Sequence, residues 1–109
     1  MIVFVFGLPG TGKSYFASRL AKMIDASYVN SARVRKELFA QRTYSHHEKK
    51  VVYDTMLGKT NEAMATGQNL VLDATFHKKE TRDTFMKQLS DQGEFFLLGY
   101  IRSKVRSRS

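Results

Sequence analysis

Apolar positions along the chain follow two different periods, and the switching between them lays out the elements. Ile2-Val-Phe-Val-Phe6 is apolar without a break and rich in β-branched and aromatic residues, as a strand covered on both faces would be. After a glycine-rich turn, Phe16, Ala17, Leu20, Ala21 and Ile24 recur at helical spacing from Lys13 onward. Ser27 to Val29 predicts a short second strand, Arg33 to Ala40 a short helix, and Gln41 to Tyr44 a loop. Ser45 and Glu48 form the Ser-x-x-Glu pattern of a capping box, opening a long helix with Val52, Met56, Ala63 and Met64 on its apolar side. Gly67 closes that helix in the usual C-terminal position. Asn69 to Asp73 reads as another buried strand, Lys79 to Gln92 as a helix stopped by Gly93, and Phe95 to Ile101 as a last strand. The order βαβααβαβ predicts an α/β fold, a parallel sheet with helices on both faces. The Met and Phe residues of these segments are expected in the core.

A length of 109 residues allows one domain, and 42% apolar with 26% charged residues and a single proline excludes disordered and fibrous classes. The chain has no cysteine, which removes disulfide frameworks, thiolate metal sites and thiol catalysis together and agrees with a reducing cytoplasm. The run Ile2 to Phe6 is about a quarter of the roughly 20 residues a membrane helix needs. No small-residue cleavage site follows it, so neither a membrane span nor a secretory leader is expected. The formal charge of +8 invites a nucleic-acid reading, yet half of it comes from Arg102, Lys104, Arg106 and Arg108 in the last eight positions. Residues 102–109 read as a basic Ser/Arg tail; the body, residues 1–101, carries the other half of the charge. A body charge of that size suits any polyanion, a nucleotide included, and leaves nucleic acid as a secondary expectation.

Gly7, Leu8, Pro9, Gly10, Thr11, Gly12, Lys13 and Ser14 spell a complete GxxxxGK[ST] phosphate-binding loop between a predicted strand and a predicted helix, as its mechanism demands. Glycine permits the turn and lets backbone N–H groups approach phosphate oxygens closely. The helix N-terminus adds its dipole, Lys13 a point charge for the β and γ phosphates, and Ser14 a hydroxyl for Mg²⁺. Tyr15 follows directly and is counted with the nucleotide contacts. Lys13, at a helix start, is expected to fill no part of the core. Asp73 ends the strand containing Leu70-Val-Leu72, at the sheet edge where α/β folds bind ligands, and is the second candidate for Mg²⁺. A capping or ion-paired aspartate is the competing reading.

Four further stretches join the loop: Val34-Arg-Lys-Glu-Leu38, Tyr44-Ser45, Val52-Tyr-Asp-Thr-Met-Leu57, and Val71-Leu-Asp-Ala-Thr-Phe76 with Arg82. Together they resemble the bacterial "predicted kinase" group of P-loop proteins, AAA-type ATP-binding proteins similar to zeta toxins and to the kinase domain of polynucleotide kinase. The resemblance spans residues 1 to about 100. It implies a kinase-like P-loop NTPase fold, ATP and Mg²⁺ as cofactors, and an unidentified hydroxyl acceptor. It further implies that Asp73 takes the metal-associated acidic position, that Arg35 contacts the acceptor or its phosphate, and that Arg82 has a role in the site. Lys13, Asp73, Arg35 and Arg82 are thus the catalytic candidates. Two departures stand out. The family pattern Ser-Asp-x-x-Arg reads Ser31-Ala32-Arg33-Val34-Arg35 here, so alanine replaces the expected general base. Family members continue into an arginine-bearing lid and a further strand, which implies a chain lacking both.

Lesser candidates have plainer explanations. His46 and His47 lie in the first turn after Ser45 without a carboxylate or third histidine at metal spacing, so solvated helix residues are expected. Thr75, Phe76 and His77 could face an acceptor; Lys78 and Lys79 read as solvated. Three functions remain open: a phosphotransferase, a nucleotide-binding module without useful turnover, and a polynucleotide-binding protein resting on the basic tail.

Overall fold

The computed structural model describes residues 1–7, 12–39, 46–76 and 79–99. Eight elements follow in the expected order: β1 (Ile2–Gly7), α1 (Lys13–Met23), β2 (Ser27–Asn30), α2 (Ser31–Leu38), α3 (His46–Thr66), β3 (Leu70–Thr75), α4 (Lys79–Gln92) and β4 (Phe96–Gly99). The strands are all parallel, in the order β2-β3-β1-β4.

Side-chain alternation along β1 and β3 divides the core in two. Val3, Val5 and Val71 face α1 and pack with Ala17 and Ala21. Ile2, Phe4, Leu70, Leu72 and Ala74 face the other way, against Val34 of α2, Val52, Met56 and Ala63 of α3, and Phe85 and Leu89 of α4. Phe4, with no exposed surface, centres an aromatic group, its ring 5.2 Å from Phe85 and 6.0 Å from Phe76. Truncating such a residue to alanine costs about 3–5 kcal/mol.

Helix ends account for the element boundaries. Gly67, at φ 71°, sits past the end of α3, with Gln68 N–H donating to the Ala63 carbonyl at 2.9 Å and Gly67 N–H to that of Met64 at 3.4 Å, the paired bonds of a Schellman motif. The same motif ends α1, where Asp25 takes a left-handed φ of 54°. Helix α2 starts two residues before the predicted Arg33, because the Asn30 side chain accepts from Arg33 N–H at 3.1 Å and caps it. It stops at Leu38, where Phe39 turns extended. The Ser45 half of the capping box, the loop Gln41 to Tyr44, and the tail 102–109 lie outside the described residues.

Strand β4 departs from expectation. It is an edge strand, with Phe96, Leu97 and Leu98 at 63%, 47% and 38% exposure, so its apolar run is not covered on both faces. The expectation that the Met and Phe residues of the predicted segments lie in the core fails likewise at Phe16, Met23 and Phe96. Among the described residues, no helix is long and apolar enough to cross a membrane.

Candidate functional site

The site lies at the C-terminal edge of the sheet, where β1 runs out at Gly7 and α1 begins. Gly12 precedes α1 with φ 84°, a left-handed conformation that a Cβ would strain, and its carbonyl accepts the first helical bond from Phe16 N–H at 3.2 Å. Leu8, Pro9, Gly10 and Thr11 lie outside the described residues. The first turn of α1 then presents Lys13 inward and Ser14 outward. Lys13 is 4% exposed, contrary to the expectation that it fills no part of the interior, because its ammonium is paired with a carboxylate inside the fold.

That carboxylate is Asp73. The strand does not end at Asp73 as expected but continues through Ala74 and Thr75, which still pair with β1. Alternation along β3 puts Asp73 on the Val71 face, toward α1, and register sets it between Val5 of β1 and Asn30 of β2. Tyr28 and Asn30, two apart on β2, point to the same face. The fully buried Asp73 carboxylate therefore meets donors from three residues: Lys13 Nζ on Oδ1, and on Oδ2 the Tyr28 hydroxyl and, at 2.9 Å, Asn30 Nδ2. Donors of this kind satisfy a carboxylate held away from water. Asn30 Nδ2 also lies 3.3 Å from Ser14 Oγ and 3.0 Å from the Tyr28 oxygen. Its other end, Oδ1, caps α2, which fixes which way the amide faces. Burial, first, and then the hydrogen bond donated to Asp73 and that residue's charge push the Tyr28 hydroxyl above its ordinary value. The Arg33 guanidinium lies 5.4 Å from the centre of the Tyr28 ring.

The structure thus brings together Lys13, Ser14 and Asp73, which the sequence had singled out, with Tyr28 and Asn30, which it had not. Gly7, paired with Thr75, and Gly12 border the same edge. Tyr15 is 69% exposed and turns away to Arg19, whose Nη1 donates to its hydroxyl at 3.1 Å. Arg35 joins a separate cluster: its Nε lies 3.1 Å from Glu48 Oε1, and Glu48 is 1% exposed. Burial raises the Tyr53 hydroxyl above its ordinary value there, partly offset by the Arg35 charge. The Arg82 guanidinium lies 5.0 Å from the Phe6 ring centre, at the end of β1, with Nε 3.6 Å from its neighbour Asp83. Ala32 is the second residue of α2 and half-buried; Phe76 is buried; Lys79 and His47 are exposed, while the His46 side chain, His77 and Lys78 lie outside the described residues.

Among solved structures, an APS kinase of Mycobacterium tuberculosis is 24% identical over 94% of this chain and 79% of its own, with a TM-score of 0.67. A chain of a Pnkp1/Rnl/Hen1 complex is 18% identical over 92% of this chain, TM-score 0.76, and a sugar kinase from a Janibacter species 12% identical over 92%, TM-score 0.69. This chain spans 35% and 59% of the length of those two. At these identities the likeness establishes the fold, that of P-loop kinases. No curated protein matches by sequence. The family profile described as an AAA domain does match, over residues 2–101, and since that is nearly the whole sequence, the chain belongs to that family.

Proposed function

We propose that the chain is an ATP-dependent phosphotransferase of the small P-loop kinase type, moving the γ-phosphoryl group of ATP to a hydroxyl on a small molecule or a nucleic-acid end. The observation that carries this reading is the meeting of Lys13 and Ser14, the last two residues of the GxxxxGK[ST] motif, with a fully buried Asp73 across the sheet edge. Matched structures titled as kinases support it.

Ser14 and Asp73 offer a hydroxyl and a carboxylate oxygen, a hard donor pair that fits Mg²⁺. Residues 7–14 would hold the nucleotide, Tyr15 being turned away toward Arg19. When bound, ATP with Mg²⁺ would supply the reactive phosphoryl group and neutralise charge on its leaving side. Lys13 would exchange the Asp73 carboxylate for the β and γ phosphates, and the N–H groups at the start of α1 would donate to them with the helix dipole behind them. The acceptor oxygen bonds to phosphorus as the bond to the β–γ bridging oxygen breaks, and that electron pair leaves with ADP. The acceptor hydroxyl's proton would pass to water, since Ala32 offers no carboxylate where the resemblance expects one. Arg35 is assigned to the acceptor or its phosphate, and Arg82 to a further role in the site. Residues 1–101 form the catalytic unit in this reading, with 102–109 a basic tail and the cytoplasm as its setting.

The test is calorimetric titration with Mg·ATP followed by turnover assays with nucleoside, sugar and polynucleotide 5′-hydroxyl acceptors. Affinity that is unchanged in Lys13→Ala removes the loop assignment. Asp73→Asn is expected to lose metal-dependent affinity while keeping metal-free nucleotide binding; equal losses in both conditions make Asp73 structural. Ala32 favours a second reading, an ATP-binding module without useful turnover, and ATP binding with no consumption across the panel establishes it. Salt-sensitive polynucleotide binding that disappears with residues 102–109 supports a nucleic-acid partner.

A further inference from the structure

The two oxygens of Asp73 are held very differently. Oδ2 takes the Tyr28 hydroxyl and the Asn30 amide, both from β2. Neither side chain is free to leave: Tyr28 packs against the Val3, Val5 and Val71 cluster, and Asn30 is pinned at its other end as the cap of α2. Among the described contacts, Oδ1 has a single donor, the Lys13 ammonium, carried on a flexible four-carbon stem. The Ser14 hydroxyl, meanwhile, accepts from the same Asn30 amide.

We infer that Tyr28 and Asn30 are positioning residues that reserve Oδ1 of Asp73 for the cation, and that Lys13 blocks this oxygen until a polyphosphate draws it away. Binding is then ordered, with the nucleotide first or together with the metal. The inference rests on Ser14 and Asp73 as the metal partners. A positive charge already in contact with Oδ1 repels a divalent cation that arrives alone, and with Oδ2 doubly engaged there is no second oxygen to offer it. A triphosphate changes the balance. It gives Lys13 another anion, so the ammonium moves without losing its pairing, and it leaves a buried carboxylate oxygen that needs a cation. The amide of Asn30 bridges α1 and β3, its Nδ2 3.3 Å from Ser14 Oγ and 2.9 Å from Asp73 Oδ2.

Mn²⁺ serves as the probe, its free ion counted by electron paramagnetic resonance in the absence of nucleotide. The wild type is expected to bind Mn²⁺ no more tightly than about 1 mM, the weak end of protein sites for divalent ions. Lys13→Met is expected to gain about tenfold or more in Mn²⁺ affinity by uncovering Oδ1, even as it loses ATP binding. The gain vanishes when Asp73→Asn is added. Asn30→Ala retains metal-free ATP binding but loses the extra affinity that Mg²⁺ confers, and Asn30→Gln does not rescue it. Submillimolar Mn²⁺ binding by the wild type alone overturns the ordering, whatever the variants do. So does a folded Lys13→Met with no gain. Where Asp73→Asn has already shown a metal-specific loss, these outcomes count against the ordering and not against the metal assignment; equal losses with and without Mg²⁺ remove the assignment first.

Discussion

Asp73 and Glu48 are both carboxylates removed from solvent, at 0% and 1% exposure, and each has a basic side chain against it, Lys13 for the first and Arg35 for the second. Burial and pairing do not separate them; their neighbours do. Asp73 stands at a sheet edge beside an exposed serine, and its cation rides on a stem that can find another anion. Glu48 lies in the first turn of α3 and faces Arg35 of α2, so that pair ties two helices together over the Val34 and Val52 side of the core. One arrangement can exchange partners and the other is held by its elements. Computed from charge alone, both would pass for sites.

The largest expected effect is at Lys13. Replacing it by alanine strands a fully buried carboxylate, which costs about 3–5 kcal/mol of stability, and it removes Mg·ATP binding as well. Thermal unfolding checks the first and calorimetry the second. Adding Asp73→Asn is expected to restore much of the stability and none of the binding.

Next comes Ala32→Asp, three residues before Arg35 on α2 and directly after the β2 edge that carries Asn30. If the Arg35 cluster borders the acceptor, a carboxylate there raises turnover by about 10², the low end of what a positioned base contributes, with ATP affinity unmoved. Turnover left at background with every acceptor separates that cluster from the reaction.

Glu48→Gln is expected to lower stability by about 1–3 kcal/mol while leaving Mg·ATP affinity at its wild-type value. A loss of affinity instead would join the two clusters into one site. The smallest effect is alkaline. Tyr28 and Tyr53 both titrate above their ordinary value of about 10, so the neutral phenols contribute stability that is complete below that pH and is lost as pH rises through the raised values. Tyr53→Phe and Tyr28→Phe are each expected to flatten the alkaline fall in stability, read from chemical denaturation across that pH range. Only Tyr28→Phe also alters the Mg²⁺ dependence of nucleotide binding.

Much of this was legible in the sequence, and the rest was not for identifiable reasons. Unbroken apolar runs alternating with helical spacing located every element, and the loop motif with an aspartate closing the run Leu70 to Leu72 picked out Lys13, Ser14 and Asp73. Asn30 escaped because the second strand was ended one residue early, at Val29; an asparagine directly before a helix was the available signal. Tyr28 needed the strand order, since only β2 lying next to β3 in this register sets it beside Asp73, and no local pattern states which strands are neighbours. The exposure of β4 was equally invisible, because an apolar run reads the same whether or not anything covers it.

Gly99, on that edge strand, has a consequence far from it. A Cβ there would lie 2.9 Å from the tip of the Phe6 ring, and Phe6 in turn supports the guanidinium of Arg82. The glycine works as a seat, the ring as a wedge resting in it, and the arginine as the pointer that the wedge aims. A methyl group added at position 99 would tilt the wedge, so the aim of a charged group on α4 is set by the lack of a side chain on β4.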